Sequence, residues 1–139
     1  MSSRLSLAIA SLTLALLAAP SIQAQALPAS QYYGSTEYIS GGIGSDEAAL
    51  FRLARKTYPL SINFSANVGE RAGYVSDVQL VIRNSQDQTV LNNLIDGPYC
   101  LIRLQPGAYK VFATYQGKTQ ERSAQIVDGQ ALEINFMWQ

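Results

Sequence analysis

The sequence predicts a mainly β protein, a seven-stranded antiparallel β-sandwich preceded by one short N-terminal α-helix. Apolar residues recur at about 3.6-residue spacing only over 45–57. From residue 59 onward they alternate with polar ones, as half-buried strands do. The alternating segments follow one another at intervals of about ten residues with turn-forming residues between them, the pattern of a small sandwich.

The chain opens on a different kind of segment. Arg4 precedes the uncharged stretch 5–19, followed by Pro20 and the small residues Ala24 and Ala26. A positive tip, an apolar core of about 15 residues and a small-residue cleavage box form a secretory signal. Residues 1–24 are read as that signal peptide. The stretch falls short of the about 20 residues a membrane span needs, and no second apolar run follows. The expected product therefore has no membrane span after cleavage and is periplasmic or secreted. The Ala24-Gln25-Ala26 box favours a Gram-negative periplasm.

Residues 25–44 read as a flexible lead-in rich in small residues, with a possible short strand at 36–40. Gly41-Gly42-Ile43-Gly44 lacks both the Lys of a phosphate-binding loop and the spacing of a dinucleotide fingerprint, so it reads as a loop. The helix follows over 45–57. Ser45 is the expected N-cap, and Asp46 and Glu47 in the first turn suit the helix dipole. Leu50, Leu53, Ala54 and Thr57 form the expected packing face, with Arg52, Arg55 and Lys56 on the solvated side. Pro59 ends the helix.

Seven strands are then expected. Leu60, Ile62 and Phe64 mark the first, and Val78, Leu80 and Ile82 the second. The third covers 88–92. Cys100, Ile102 and Leu104 mark the fourth, and Tyr109, Val111, Ala113 and Tyr115 the fifth. The sixth is a solvated strand ending at Ala124 and Ile126, and the last carries Leu132, Ile134, Phe136 and Trp138. Gln105-Pro106-Gly107-Ala108 predicts a type II turn. Gln116-Gly117 and Asp128-Gly129 predict tight hairpins, the second of type I′. Asn67 to Gly73 reads as a polar loop. Residues 45–139 are thus expected to form one domain, helix plus sandwich.

Composition limits the chemistry. Loss of 1–24 removes Arg4 alone among the charged groups, leaving 9 basic against 10 acidic, a net charge of −1. That balance argues against a nucleic-acid partner, which needs excess Lys and Arg. The chain has no His and one Cys, Cys100. Imidazole-based triads and His-based metal sites are therefore excluded. One Cys forms no internal disulfide, and its place in the alternation predicts a buried thiol.

The run Leu104-Gln105-Pro106-Gly107-Ala108-Tyr109-Lys110-Val111, with Gly97-Pro98 before it and Gly117 after, resembles the hairpin of carboxypeptidase regulatory-like domains. These are transthyretin-like (prealbumin-like), immunoglobulin-like β-sandwiches. Ser76 to Ile82 resembles their opening strand, and the likeness covers about residues 59–138. Small secreted proteobacterial proteins with this label also share the Gly41-to-Glu47 segment, the helix and Tyr58-Pro59-Leu60. The resemblance implies a non-catalytic accessory module. Hydroxyisourate hydrolases share that fold but depend on His, so their activity does not transfer.

No catalytic, cofactor-binding or metal-binding residue is expected. Asp77 and Asp96 read as lone carboxylates, and Arg103 as a partner for Asp77 or Glu133. The candidate binding surface is aromatic: Tyr32, Tyr33, Tyr38, Tyr74 and Tyr99, placed in lead-in, loop or outward positions. The leading functional expectation is a periplasmic interaction module whose partner is another cell-envelope protein. A small-ligand or glycan-binding domain is the alternative, and a His-independent enzyme ranks third.

Overall fold

A computed structural model describes residues 14–18 and 26–139. Residues 14–18 are exposed and without regular structure, and the rest of the expected 1–24 signal peptide lies outside the described residues. No described helix is long and apolar enough to cross a membrane.

Among the described residues ten strands form two sheets, with one α-helix on the outside. In chain order they are β1 (Gln31–Tyr33), β2 (Thr36–Gly41), α1 (Ser45–Ala54, continued by a 3-10 turn Arg55–Thr57), β3 (Leu60–Val68), β4 (Arg71–Tyr74) and β5 (Val78–Asn84). Then come β6 (Thr89–Ile95), β7 (Tyr99–Ile102), β8 (Gly107–Tyr115), β9 (Lys118–Ile126) and β10 (Leu132–Trp138). One sheet has the order β1-β2-β7-β3-β10, with β4 paired to the far end of β3. The other has the order β6-β5-β8-β9. The mainly β, two-sheet reading holds, and all seven expected strands are present. The count is larger because β1 and β2 form a hairpin on the first sheet and Asn67–Gly73 is no loop. Gly69, at φ +66°, turns the chain so that Val68 pairs with Arg71 and β4 folds back on β3.

The sandwich is not wholly antiparallel. β10 runs parallel to β3, with Phe136 beside Phe64 and Trp138 beside Ala66. The Asp128-Gly129 turn therefore does not close a hairpin. It carries the chain from one sheet to the other, with Gly129 alone at positive φ and Gln130 N–H bonded to Val127 O at 3.1 Å. Pro106-Gly107 is a crossover of the same kind, since β7 and β8 belong to different sheets. Gly107 has φ +153°, outside the type II range, and the Tyr109 hydroxyl ties the corner by donating to Gln105 O at 2.7 Å. Gln116-Gly117 does close a two-residue hairpin, with both φ values positive as type I′ requires.

Two cores hold the layers together. Between the sheets lie Leu60, Ile62, Phe64, Phe136 and Trp138 from one side and Val78, Leu80, Ile82, Leu91 and Val111 from the other. Phe64 stacks on Phe136 at 6.0 Å. Cys100 is fully buried here, and burial pushes its thiol pKa far up. The second core lies on the outer face of the first sheet, where α1 covers Ile39, Tyr99 and Leu101 with Ala48 and Phe51. That helix face keeps Ala54 of the expected one, which packs against this core, but otherwise differs. Leu53 is 72% exposed and Phe51 fully buried. Ala48 and Phe51, three residues apart, make the true stripe, because Phe51 finds an aromatic partner in Tyr99 at 5.7 Å. Ser45 is also not the cap. Gly44 holds that position without a side-chain cap, and Glu47 instead reaches back to accept the Gly42 N–H at 2.8 Å.

Candidate functional site

β7 is covered on both of its faces. All four of its residues are buried, because Cys100 and Ile102 face the sandwich core while Tyr99 and Leu101 face α1. The β2–α1 connection passes over the end of this strand. Gly41 and Gly42, at φ +154° and +92°, bring the backbone against it. A Cβ on Gly42 would strike the Tyr99 ring, and one on Gly97 would sit 2.7 Å from the Gly41 carbonyl oxygen. Only glycine permits this close approach.

Beyond that crossing, β4 and the start of α1 stand apart and leave a groove of about 570 Å³. Its mainly apolar lining includes Gly42, Ile43, Ala48, Tyr74, Val75 and Pro98, with Arg52 on the helix wall. Ile43 is 71% exposed and Tyr74 61% exposed. Tyr74 leans on Tyr99 with ring centroids 5.6 Å apart. Hydrogen bonding with Tyr99, and the charge Tyr99 would carry, push the Tyr74 hydroxyl above its ordinary pKa, while Arg52 pulls the other way. A second concavity, of about 450 Å³, shares Tyr74, Val75 and Ser76 with the groove and extends to Val68, Asp77 and Tyr115 on the side of β4 that faces the sandwich core.

The edge of β4 between these two concavities is open. Val68 and Arg71 flank a two-residue hairpin, and Val75 N–H bonds to Phe64 O at 3.3 Å. By the alternation of an antiparallel ladder, Arg71, Gly73 and Val75 point their backbone groups at β3. The N–H and C=O groups of Ala72 and Tyr74 therefore point away from it. No described strand pairs with them.

The five candidate tyrosines do not form one surface. Tyr74 and Tyr99 come together, but Tyr99 is only 6% exposed and lies beneath Phe51 and Tyr74 rather than in the groove's lining. Tyr32 and Tyr33 are exposed on β1, at the opposite end of β2. Tyr38 is 1% exposed in the sandwich core, so it does not belong to any binding surface. Its hydroxyl donates to Gln31 Oε1 at 3.1 Å and accepts from Asn93 Nδ2 of the other sheet. Arg103 pairs with neither expected carboxylate. It lies 4.3 Å over the Tyr58 ring and 3.7 Å from Glu37, whereas Glu133 pairs with Arg55 at 3.1 Å. Ile43, Arg52 and the β4 edge were missed at the sequence level. The Gly41-to-Gly44 cluster was their available signal, as a site of close backbone approach.

Among the described residues no group of three or more His, Cys, Asp or Glu is placed to hold a metal ion. Several carboxylates are already engaged: Glu37 with Ser30 and Arg103, Glu47 with Gly42, and Asp87 with Arg83. No family model matches the chain, and no curated protein or solved structure matches it either.

Proposed function

We propose that the protein is a non-catalytic accessory module of the cell envelope that docks a partner protein at the groove between α1 and β4. The observation that carries this reading is the open β4 edge set beside an exposed apolar and aromatic lining. Exposed apolar surface next to unpaired strand backbone is what a protein partner uses. The signal-like segment 1–24 supports export to the periplasm of a Gram-negative cell. The seven strands β3 and β5 to β10, taken without the β1–β2 hairpin and β4, support a transthyretin-like sandwich of the carboxypeptidase regulatory-like kind.

The test is photocrosslinking in native cells. A photoreactive amino acid at Ile43 should capture one defined protein, and the same probe at Thr119 on β9 should not. Identical products from both positions, or none from position 43, would count against the reading. The groove volume of about 570 Å³ favours a second reading, a small ligand or glycan held against Tyr74. A melting shift with a glycan panel, abolished by Tyr74→Ala, would select it over the first.

A further inference from the structure

The groove has a chemistry of its own, and its two sides differ. β4 offers outward N–H and C=O groups at Ala72 and Tyr74, two residues apart, the spacing of an added strand's hydrogen bonds. A concavity lies on each face of the sheet beside that edge. Side chains of an added strand alternate between the faces, so every second one would enter the same concavity. On the α1 face the walls are apolar, and the charge among the lining residues is Arg52. Arg52 is exposed and forms no ion pair among the described residues, while Arg55, Arg83 and Arg103 each have a carboxylate partner. On the opposite face the charge among the lining residues is Asp77.

Resting on the docking reading above, we propose that the occupant is an extended peptide segment added to β4 as a further strand, with apolar side chains and an Asp or Glu on the face turned to α1. Backbone pairing supplies a sequence-independent part of the affinity. The Arg52 guanidinium supplies selection, because it can bind a carboxylate through paired hydrogen bonds. Residues of the same segment that point to the other face meet Asp77 and tolerate Lys or Thr there. A segment in the reverse charge order would set like charges against each other on both faces.

Two capped hexapeptides test this with the purified protein: Val-Lys-Leu-Thr-Glu-Thr and its Gln form, Val-Lys-Leu-Thr-Gln-Thr. Amide chemical shifts locate binding, and titration calorimetry measures it. The Glu peptide should shift Ala72 and Tyr74 and bind about tenfold more tightly than the Gln peptide. Arg52→Gln should erase that difference. N-methylation of alternate peptide amides should abolish binding in the register that uses them and spare it in the other. Equal affinity of the two peptides with shifts at Ala72 and Tyr74 overturns the acidic preference and leaves the docking reading intact. Absence of binding, or shifts confined to other strands, overturns strand addition at β4. The docking reading itself is tested separately, by the crosslinking at Ile43.

Discussion

The ring of Tyr99 serves two layers at once. Phe51 stacks on it from α1, Tyr74 leans on it from β4, and Gly42 passes over it without a side chain. Removing Phe51 takes away the helix's main anchor. Phe51→Ala should cost about 3–5 kcal/mol in urea unfolding, against about 0.5 kcal/mol or less for Leu53→Ala. Cys100 makes a separate prediction. Its folded pKa is raised from 9.0 by burial, so the unfolded chain loses the proton first as pH rises. Stability is whole below pH 9.0 and falls above it. The slope is about 1.4 kcal/mol per pH unit while only the unfolded thiol ionises. Tyr74 and Tyr109, also raised from 10.0, steepen the decline above that value. Urea titrations from pH 8 to pH 11 on the native protein and Cys100→Ala should show a shallower fall in the variant. At this scale the sequence is readable wherever one neighbour decides: the alternation alone puts Cys100 inside. It misplaces Tyr38 and Tyr99 because strands of the first sheet are covered on both faces. The unbroken run Tyr99-Cys100-Leu101-Ile102 was the sign of that double burial.

Among the elements, α1, β3 and β5 to β10 are legible because their periods run over most of their length. The helix face is not, since Leu50, Leu53 and Phe51 are all apolar and only the partner strand selects among them. Turn chemistry was read correctly where both turn residues join neighbours in one sheet, as at Gln116-Gly117. It failed at Pro106-Gly107 and Asp128-Gly129, where the same residue pairs carry the chain between sheets. Local sequence has no term for which sheet the next strand joins. The glycines separate local from tertiary demands in a way that can be measured. Gly34, at φ +57° in the β1–β2 hairpin, has open space where a Cβ would go. Gly34→Ala should cost about 1 kcal/mol, the price of the left-handed backbone alone. Gly97, at φ +135°, would drive a Cβ against the Gly41 backbone. Gly97→Ala should cost more than Gly34→Ala, about 2 kcal/mol or above, in the same unfolding assay.

Across the whole molecule, the strand edges are treated unequally. The long β9 edge is polar, and two bonds close it to β10: Gln120 Nε2 donates to Met137 O at 2.6 Å and Trp138 Nε1 to Lys118 O at 2.9 Å. Between β6 and β2, the Asn93 amide meets the Tyr38 hydroxyl. Such closures and charges keep a sandwich from pairing at random. β4 has no such closure and a single charge, Arg71, at its start, and it borders a concavity on each face. The sequence hides this exception, because Asn67 to Gly73 has the polar, glycine-bearing composition of a loop. This exception also carries the functional account, so the most direct measurement is residue-resolved amide exchange of the free protein. Gly73 and Val75 should be protected by β3, and Ala72 and Tyr74 should exchange freely. Uniform protection along 72–75 would mean that the edge is already occupied, and would contradict a docking role for it.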